Sequence, residues 1–337
     1  QVSYPKKRRT PNKFIHIKNA SKNNLKNIST RFPLETLTTI TGVSGSGKST
    51  LIRDLFIPEM QKYLTKQKSL VSGDIDLSLN IEFIKQNPIG KSTRSNLVTY
   101  LKGFDDIRKL LSEQKLAKIN NLTPKFFSFN VDGGRCENCK GDGFISVDMQ
   151  FMADIQVQCE NCNGKRYKDN VLKIYYKKKN VYDILNMTVD SAYDFFEKEK
   201  QTNITKHLIT LKNVGLGYVK LGQNLSTLSG GEAQRLKLAF FLNKKIKNTI
   251  MIFDEPTTGL HIHDINNLLD SFNEILKNNN SIIIIEHNME IIKSCDWIIE
   301  LGPDGGDNGG KIIFEGTPEN MIKQKSHTSE VLKKHLN

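Results

Sequence analysis

The stretch Gly42-Val-Ser-Gly-Ser-Gly47-Lys48-Ser49 constrains this chain more than any other. It fits G-x-x-x-x-G-K-[ST], the spacing of a loop that cradles nucleotide phosphates. Glycines at this spacing let successive backbone N–H groups turn inward. Lys48 places a point charge at the β/γ-phosphates, and the Ser49 hydroxyl suits Mg²⁺. Ser44, Gly45, Ser46 and Thr50 complete the predicted phosphate-facing set. The β-branched run Leu37–Thr41 reads as a strand. Ser49 to Gln61 carries Leu51, Ile52 and Leu55 at helical spacing. The loop therefore opens a helix, at an end suited to anions.

A length of 337 residues allows two or three domains. There is no run of 18 apolar residues, so no membrane helix and no membrane partner are expected. No secretory leader is visible. The chain opens on Gln1 rather than Met, which fits a trimmed or partial sequence. Its net charge of +13 favours a polyanionic partner, and fits a lysine-rich solvated surface equally well. Four of the five cysteines form two C-x-x-C pairs, which points to metal in a reducing, cytoplasmic setting.

Residues 1–13, with Pro5-Lys-Lys-Arg-Arg9, read as a mobile basic arm. Phe14–Ile17, Ile28–Phe32 and Asn80–Ile84 read as strands, with Gln86 just beyond the last. Phe104 to Ile119 is amphipathic at helical spacing, and Val171–Tyr176 reads as a strand. Helices are expected over 181–187, 190–199 and 204–211. Thr249–Phe253 and Ile282–Ile285 are continuous apolar runs, as buried parallel strands should be. Trp297–Leu301 and Lys311–Phe314 read as late strands, and Thr317-Pro318 as a helix start.

Cys136-Glu-Asn-Cys139 and Cys159-Glu-Asn-Cys162 each have glycine just beyond, at Gly141 and Gly164. Four thiolates at this spacing select one structural Zn²⁺ and leave no open position. Between the pairs, Ile145, Val147, Met149 and Phe151 alternate with polar residues, and Ile155 and Val157 resume the pattern. This predicts a hairpin closed by the metal, in a module of about 133–167. Cys295 reads as a small buried hydrophobe.

Ile250-Met-Ile-Phe-Asp254-Glu255 is an apolar strand ending in two carboxylates. Asp254 suits a Mg²⁺ contact, and Glu255 suits orientation or activation of the attacking water. In Leu228-Ser229-Gly230-Gly231-Glu232-Ala-Gln-Arg235, Ser229 and Glu232 form a capping box that opens a helix with N–H groups free for an anion. With the P-loop this is an ABC-type signature. His287 follows a strand ending at Glu286 and suits a γ-phosphate sensor.

The ordered set Gly42–Ser49, Gln86, Leu228–Arg235, Asp254-Glu255-Pro-Thr-Thr-Gly-Leu-His261 and Glu286-His287-Asn288 resembles an ABC ATPase. The 180 positions from Ser49 to Ser229 (229 − 49), filled by a zinc module, resemble the UvrA family of ABC excinuclease proteins. These are the DNA-damage sensors of bacterial nucleotide excision repair. Asn24-Leu-Lys-Asn27, Gln86-Asn-Pro-Ile-Gly90, Arg94-Ser-Asn96, Gly133-Gly-Arg-Cys136, Gly215-Leu-Gly-Tyr218 and Leu221-Gly-Gln223 resemble it too. The match is to the second cassette of that tandem protein. Lys85, Lys91-Ser92-Thr93 and Ala153 depart from the family pattern.

The resemblance implies an α/β, ABC-type P-loop NTPase fold with an inserted helical and zinc-binding domain. The implied boundaries are 14–87 and 226–337 for the ATP-binding domain and 88–225 for the insert. The implied activity is Mg²⁺-dependent ATP hydrolysis with Gln86, Glu255 and His287 catalytic. The nucleotide lies between this chain's P-loop and the signature of a second cassette, either a second copy or an N-terminal half. Implied partners are double-stranded DNA, preferentially damaged, and the excinuclease protein UvrB. Lys91, Arg94, Lys165, Arg166 and Lys168 are candidate DNA-phosphate contacts. A stand-alone drug-resistance or regulatory ATPase, and a transporter's cytosolic motor, are the alternative readings.

Overall fold

The two continuous apolar runs become central strands because both their faces are covered, as parallel pairing requires. In the computed structural model described here every residue of Ser281–Ile285 is buried, as is every residue of Thr249–Asp254 except the terminal aspartate. The structure describes residues 5, 7–73, 75–85, 96–100, 102–147, 149, 155–244 and 246–336. Gln86, Lys91 and Arg94 lie outside the described residues.

In chain order the strands are β1 (Phe14–Lys22), β2 (Leu25–Pro33), β3 (Leu37–Gly42), β4 (Val71–Ser72), β5 (Asn80–Ile84), β6 (Phe144–Val147), β7 (Ile155–Gln158), β8 (Thr249–Asp254), β9 (Ser281–Ile285), β10 (Trp297–Gly302) and β11 (Lys311–Gly316). The chain divides into two compact units, Gln1–Gln86 with Lys244–Asn337, and Asn87–Asn243.

In the first unit a six-stranded sheet runs β11-β10-β3-β9-β8-β5, beside a three-stranded sheet β2-β1-β4. The larger sheet is parallel from β10 to β5, and only β11 is antiparallel. After the P-loop the chain winds as a π-helical segment, Thr50–Phe56, and continues as an α-helix over Ile57–Leu64. Leu51, Ile52, Leu55 and Phe56 share one core with Ile40, Ile252 and Ile285. Phe56 lies 4.3 Å from the Phe32 ring, between centroids. Burying each such side chain contributes about 1.5–3 kcal/mol, so the helix that follows the loop is held to the sheet by packing. Cys295 is fully buried, as expected.

The basic arm differs from the expectation of a mobile tail. Arg8 donates from Nε to Glu319 at 2.7 Å, from Nη2 to the Lys293 carbonyl at 2.8 Å, and from Nη1 to the Cys295 carbonyl. Those carbonyls end the helix Met289–Ser294, where a cation is favoured. Asp296, almost wholly buried, accepts from the backbone N–H of Arg9 at 2.9 Å and from that of Leu37 at 2.9 Å. A charge run reads as a solvated tail only when no orphan carbonyls or buried carboxylate await it.

In the second unit the amphipathic stretch is two helices, Gly103–Ser112 and Lys115–Ile119, because Gln114 takes an extended conformation. Val181–Asn186 is opened by a reciprocal Asn180/Asp183 capping box, and Val189–Lys198 by the Thr188 hydroxyl. Thr202–Asn213 follows. The strand expected over Val171–Tyr176 is instead a helical turn, Asp169–Leu172, with a single bridge from Tyr176 to Lys179. Val171 and Ile174 are both fully buried, so packing overrides their β-propensity. The helix Gly230–Lys244 also falls largely in this unit, beyond the expected boundary at 225. Phe240 packs on Tyr100 at 5.4 Å, and the Thr210 hydroxyl donates to the Asn243 side chain at 3.1 Å.

Arg8 is 8% exposed and Glu319 is 53% exposed. The ion pair is therefore screened, and the two carbonyl contacts dominate. Arg8→Ala is expected to cost about 1–3 kcal/mol, read as a lower denaturation midpoint at unchanged slope.

Candidate functional site

The P-loop starts where β3 ends. Gly42 has φ +134°, and a Cβ there would sit 2.1 Å from the Leu301 carbonyl oxygen. Gly47 has φ +104°, with Leu25 Cδ2 only 2.8 Å from a would-be Cβ. Both positions demand glycine. Lys48 donates to the Gly42 and Val43 carbonyls, each at 2.8 Å. Burial pushes its ammonium pKa down, while the Glu255 and Asp254 charges oppose that shift. Ser44, Gly45 and Ser49 are exposed, and Thr50 is half-buried. Ser46 differs from the rest of the predicted set: it is fully buried, and its N–H donates to the Val43 carbonyl at 3.2 Å.

A cleft of about 500 Å³ opens over this loop, lined by Gly45, Lys48, Ser49, Thr50, Asp254 and Glu255. Its size suits a small-molecule site. Sequence reasoning missed three of its walls, Asn23, Asn24 and Asp307. The Asn24 amide and the Gly306 N–H both donate to the Gly45 carbonyl, at 3.0 and 3.1 Å, and the Gly310 N–H donates to that of Ser46 at 3.1 Å. The β1–β2 turn and the 305–310 turn thus hold the loop by the Gly45 and Ser46 carbonyls. The Asn-Asn pair and the glycine cluster were the available signals.

Asp254 ends β8, half-buried. Burial raises its carboxyl pKa, and Glu255 adds to the shift. Glu255 follows at φ +47°, with its N–H on the Ile285 carbonyl at 2.9 Å. His287 Nδ1 lies 3.7 Å from Glu255 Oε1, and both side chains reach solvent. Glu286, read only as the end of the preceding strand, is buried, and its carboxylate accepts from Thr257, His287 and Asn288.

The signature motif forms as a reciprocal capping box. The Ser229 N–H donates to Glu232 Oε2 at 2.7 Å, and the Glu232 N–H donates to Ser229 Oγ at 3.3 Å. Glu232 also accepts from the Tyr218 hydroxyl. Against the burial that would raise it, the Tyr218 and Ser229 hydrogen bonds hold its carboxyl pKa below the usual range. Ser229 is exposed, Gly230 half-buried and Gly231 buried.

Cys136, Cys139, Cys159 and Cys162 are buried together, with all four sulfurs within 4.8 Å of one another. Cys136 and Cys159 are 3.9 Å apart, Cys139 and Cys162 3.7 Å. A tetrahedral site with Zn–S near 2.3 Å has edges of about 3.8 Å, so the donor set fits Zn²⁺. Lys140 and Asn163 take positive φ ahead of Gly141 and Gly164, which folds both pairs into matching knuckles. The Gly143 N–H donates to Cys139 Sγ at 3.3 Å. The hairpin pairs Ile145 with Val157 and Val147 with Ile155. The alternation was legible, but these four residues are all exposed.

Of the described DNA candidates, Lys165 is exposed. Arg166 donates to the Gly222 carbonyl at 3.2 Å and lies over the Phe129 ring, and Lys168 pairs with Glu137 at 2.5 Å.

The fold and this cleft define a P-loop cassette of the ABC ATPase class. The family model described as "ABC transporter" matches residues 146–258, which include the signature and β8. Over its whole length the chain is similar to proteins named UvrABC system protein A. It is 49% identical to the protein of Clostridium perfringens across all of this chain and 36% of the relative. With the Aquifex aeolicus protein it shares 48%, across all of this chain and 37% of the relative. Among solved structures, UvrA2 from Deinococcus radiodurans superposes with a TM-score of 0.86 at 38% identity, across all of this chain and 41% of that one. The chain thus spans a little over a third of the curated relatives it matches.

One zinc per chain is expected by elemental analysis of reduced protein. A structural zinc supplies roughly 10–16 kcal/mol of apparent binding energy. Cys139→Ser should therefore lose the metal and the amide protection of β6 and β7, while protection of β8 and β9 persists.

Proposed function

We propose that the chain is the Mg-ATP-hydrolysing module of a UvrA-type DNA-damage recognition protein in nucleotide excision repair. The observation that carries this reading is the convergence of Lys48, Ser49, Asp254 and Glu255 on one cleft. Lys48 and the loop N–H groups hold the phosphates. Ser49 and Asp254 would hold Mg²⁺, which would supply neutralisation of phosphate charge. Glu255 orients and deprotonates water, and His287, beside it, touches the terminal phosphate.

One cassette supplies half of the phosphate cage. Exposed Ser229 at a capped helix start, with Gly230 and Gly231, supplies the other half to the nucleotide of a second cassette. That partner is a second copy or an N-terminal half of a longer protein. DNA meets the zinc-bearing unit through its phosphates, with Lys165 the exposed candidate among the described residues, and damaged duplex is preferred because it deforms at lower cost. The excinuclease protein UvrB is the further partner of this reading.

Removing a general base lowers turnover by about 10²–10⁴-fold. Glu255→Gln is therefore expected to bind ATP, turn over within that loss, and pair in an ATP-dependent way by light scattering. Turnover at the wild-type rate would overturn the role of Glu255. If DNA is held through 6–10 phosphates, affinity falls by about 10³–10⁵ between 50 and 200 mM salt. Lys165→Ala should reduce that slope and leave nucleotide binding unchanged. Salt-insensitive binding, or none at low salt, would overturn the DNA role.

A further inference from the structure

Glu286 directly follows β9 and is 1% exposed. Both of its carboxylate oxygens are engaged. Oε1 accepts the Thr257 N–H at 3.1 Å and the Thr257 hydroxyl. Oε2 accepts the His287 N–H at 2.9 Å and the Asn288 N–H at 3.0 Å. An ionised carboxylate is an acceptor only, and every one of these partners donates. A carboxamide would turn an NH₂ group against one of the two donor pairs.

The two pairs belong to different parts of the site. Thr257 lies two residues beyond Glu255, whose positive φ turns the chain away from β8. His287 and Asn288 open the loop into helix Met289–Ser294, where Asn288 Oδ1 caps the Glu290 N–H at 2.9 Å. One buried carboxylate therefore ties the turn after the water-activating residue to the segment that carries the phosphate sensor. We propose that Glu286 is a positioning residue. It holds His287 and the Glu255–Thr257 turn in one frame, so that contact between His287 and a terminal phosphate fixes Glu255 as well. The inference rests on the Mg-ATP reading above. Glu286 acts through its neighbours and does not itself touch nucleotide.

The experiment compares Mg-ADP and Mg-ATP affinity, and turnover, in the wild-type chain, Glu286→Gln, Thr257→Val and His287→Ala. A lost charge-assisted hydrogen bond predicts that Glu286→Gln lowers the preference for the triphosphate by about tenfold, with turnover falling in parallel and ADP affinity within about twofold of wild type. Its preference should approach that of His287→Ala. Thr257→Val removes one hydroxyl donor and should shift the same ratio by less. Combining Glu286→Gln with Thr257→Val should be no worse than Glu286→Gln alone, because both changes cut one link.

The inference is overturned if Glu286→Gln keeps the wild-type preference and turnover. It is also overturned if that variant loses ADP and ATP equally while Thr257→Val is neutral, which is the behaviour of a purely structural carboxylate. If Glu286→Gln does not fold, Thr257→Val decides, and an unchanged ratio overturns the inference. A wild-type chain that binds no ATP overturns the nucleotide reading itself, and that result is visible before any variant is made.

Discussion

The parallel pairing of β3, β9 and β8 is the constraint on which the rest of the nucleotide site depends. Register aligns Ile40 with Ile285, and Ile285 with Asp254. The ladder then continues one residue past two of the strands. The Glu286 N–H donates to the Ile40 carbonyl at 3.0 Å, and the Glu255 N–H to that of Ile285 at 2.9 Å. Three strands consequently release their chains at one level. There β3 gives way to the phosphate loop, β8 to Asp254 and Glu255, and β9 to Glu286 and His287. A slip of one residue in β9 would reverse which of its side chains face which side of the sheet, and would carry His287 away from Glu255. The buried isoleucines of β9 thus fix chemistry they never touch.

The two candidate sites are held by different physics. The nucleotide cleft depends on a large apolar core under the sheet, with glycine required at Gly42 and Gly47, where a side chain would strike Leu301 or Leu25. The cysteine cluster is a small group of four buried sulfurs under a hairpin whose apolar face is exposed. A two-stranded ribbon is marginal in water, so a metal held by the four cysteines would supply what packing does not. The capping box at Ser229 lies between these extremes. Its two reciprocal hydrogen bonds are local and readable from spacing alone, while the Tyr218 hydroxyl that donates to the other Glu232 oxygen is not.

Motifs with a local mechanism were legible. The P-loop, the strand to Asp254, the capping box and the cysteine pairs each follow from spacing and residue type. Features that depend on distant partners were not. Arg8 and Arg9 read as a charged tail because their acceptors, the carbonyls of Lys293 and Cys295 and the carboxylate of Asp296, lie almost 290 positions away. Val171–Tyr176 has strand composition, yet it folds as a turn because burial selects Val171 and Ile174. Asn23 and Asn24, in the turn between β1 and β2, form a wall of the cleft that their spacing from the P-loop did not signal. Glu286 was hidden because a carboxylate at a strand end is ordinarily solvated. Only the fold shows four donors converging on it.

A long insertion interrupts the cassette between β5 and β8, yet the parallel ladder is intact. The two strands that flank the insertion are neighbours, with Ile81 opposite Ile250 and Phe83 opposite Ile252. β5 is the edge strand, so the chain leaves the sheet at its rim and returns one position inward. The return is pinned by the Asn80 N–H on the Asn248 carbonyl at 3.0 Å and the Asn248 amide on the Ser78 hydroxyl at 2.8 Å. Closure entropy grows only with the logarithm of loop length, so a domain inserted here costs the sheet little more than a long loop would. Insertion after β3 would have severed the phosphate loop from its helix, and insertion after β8 would have separated Asp254 and Glu255 from the turn that Glu286 holds. The edge position lets one chain carry a unit with its own cysteine cluster while the cleft between β3, β8 and β9 stays undivided.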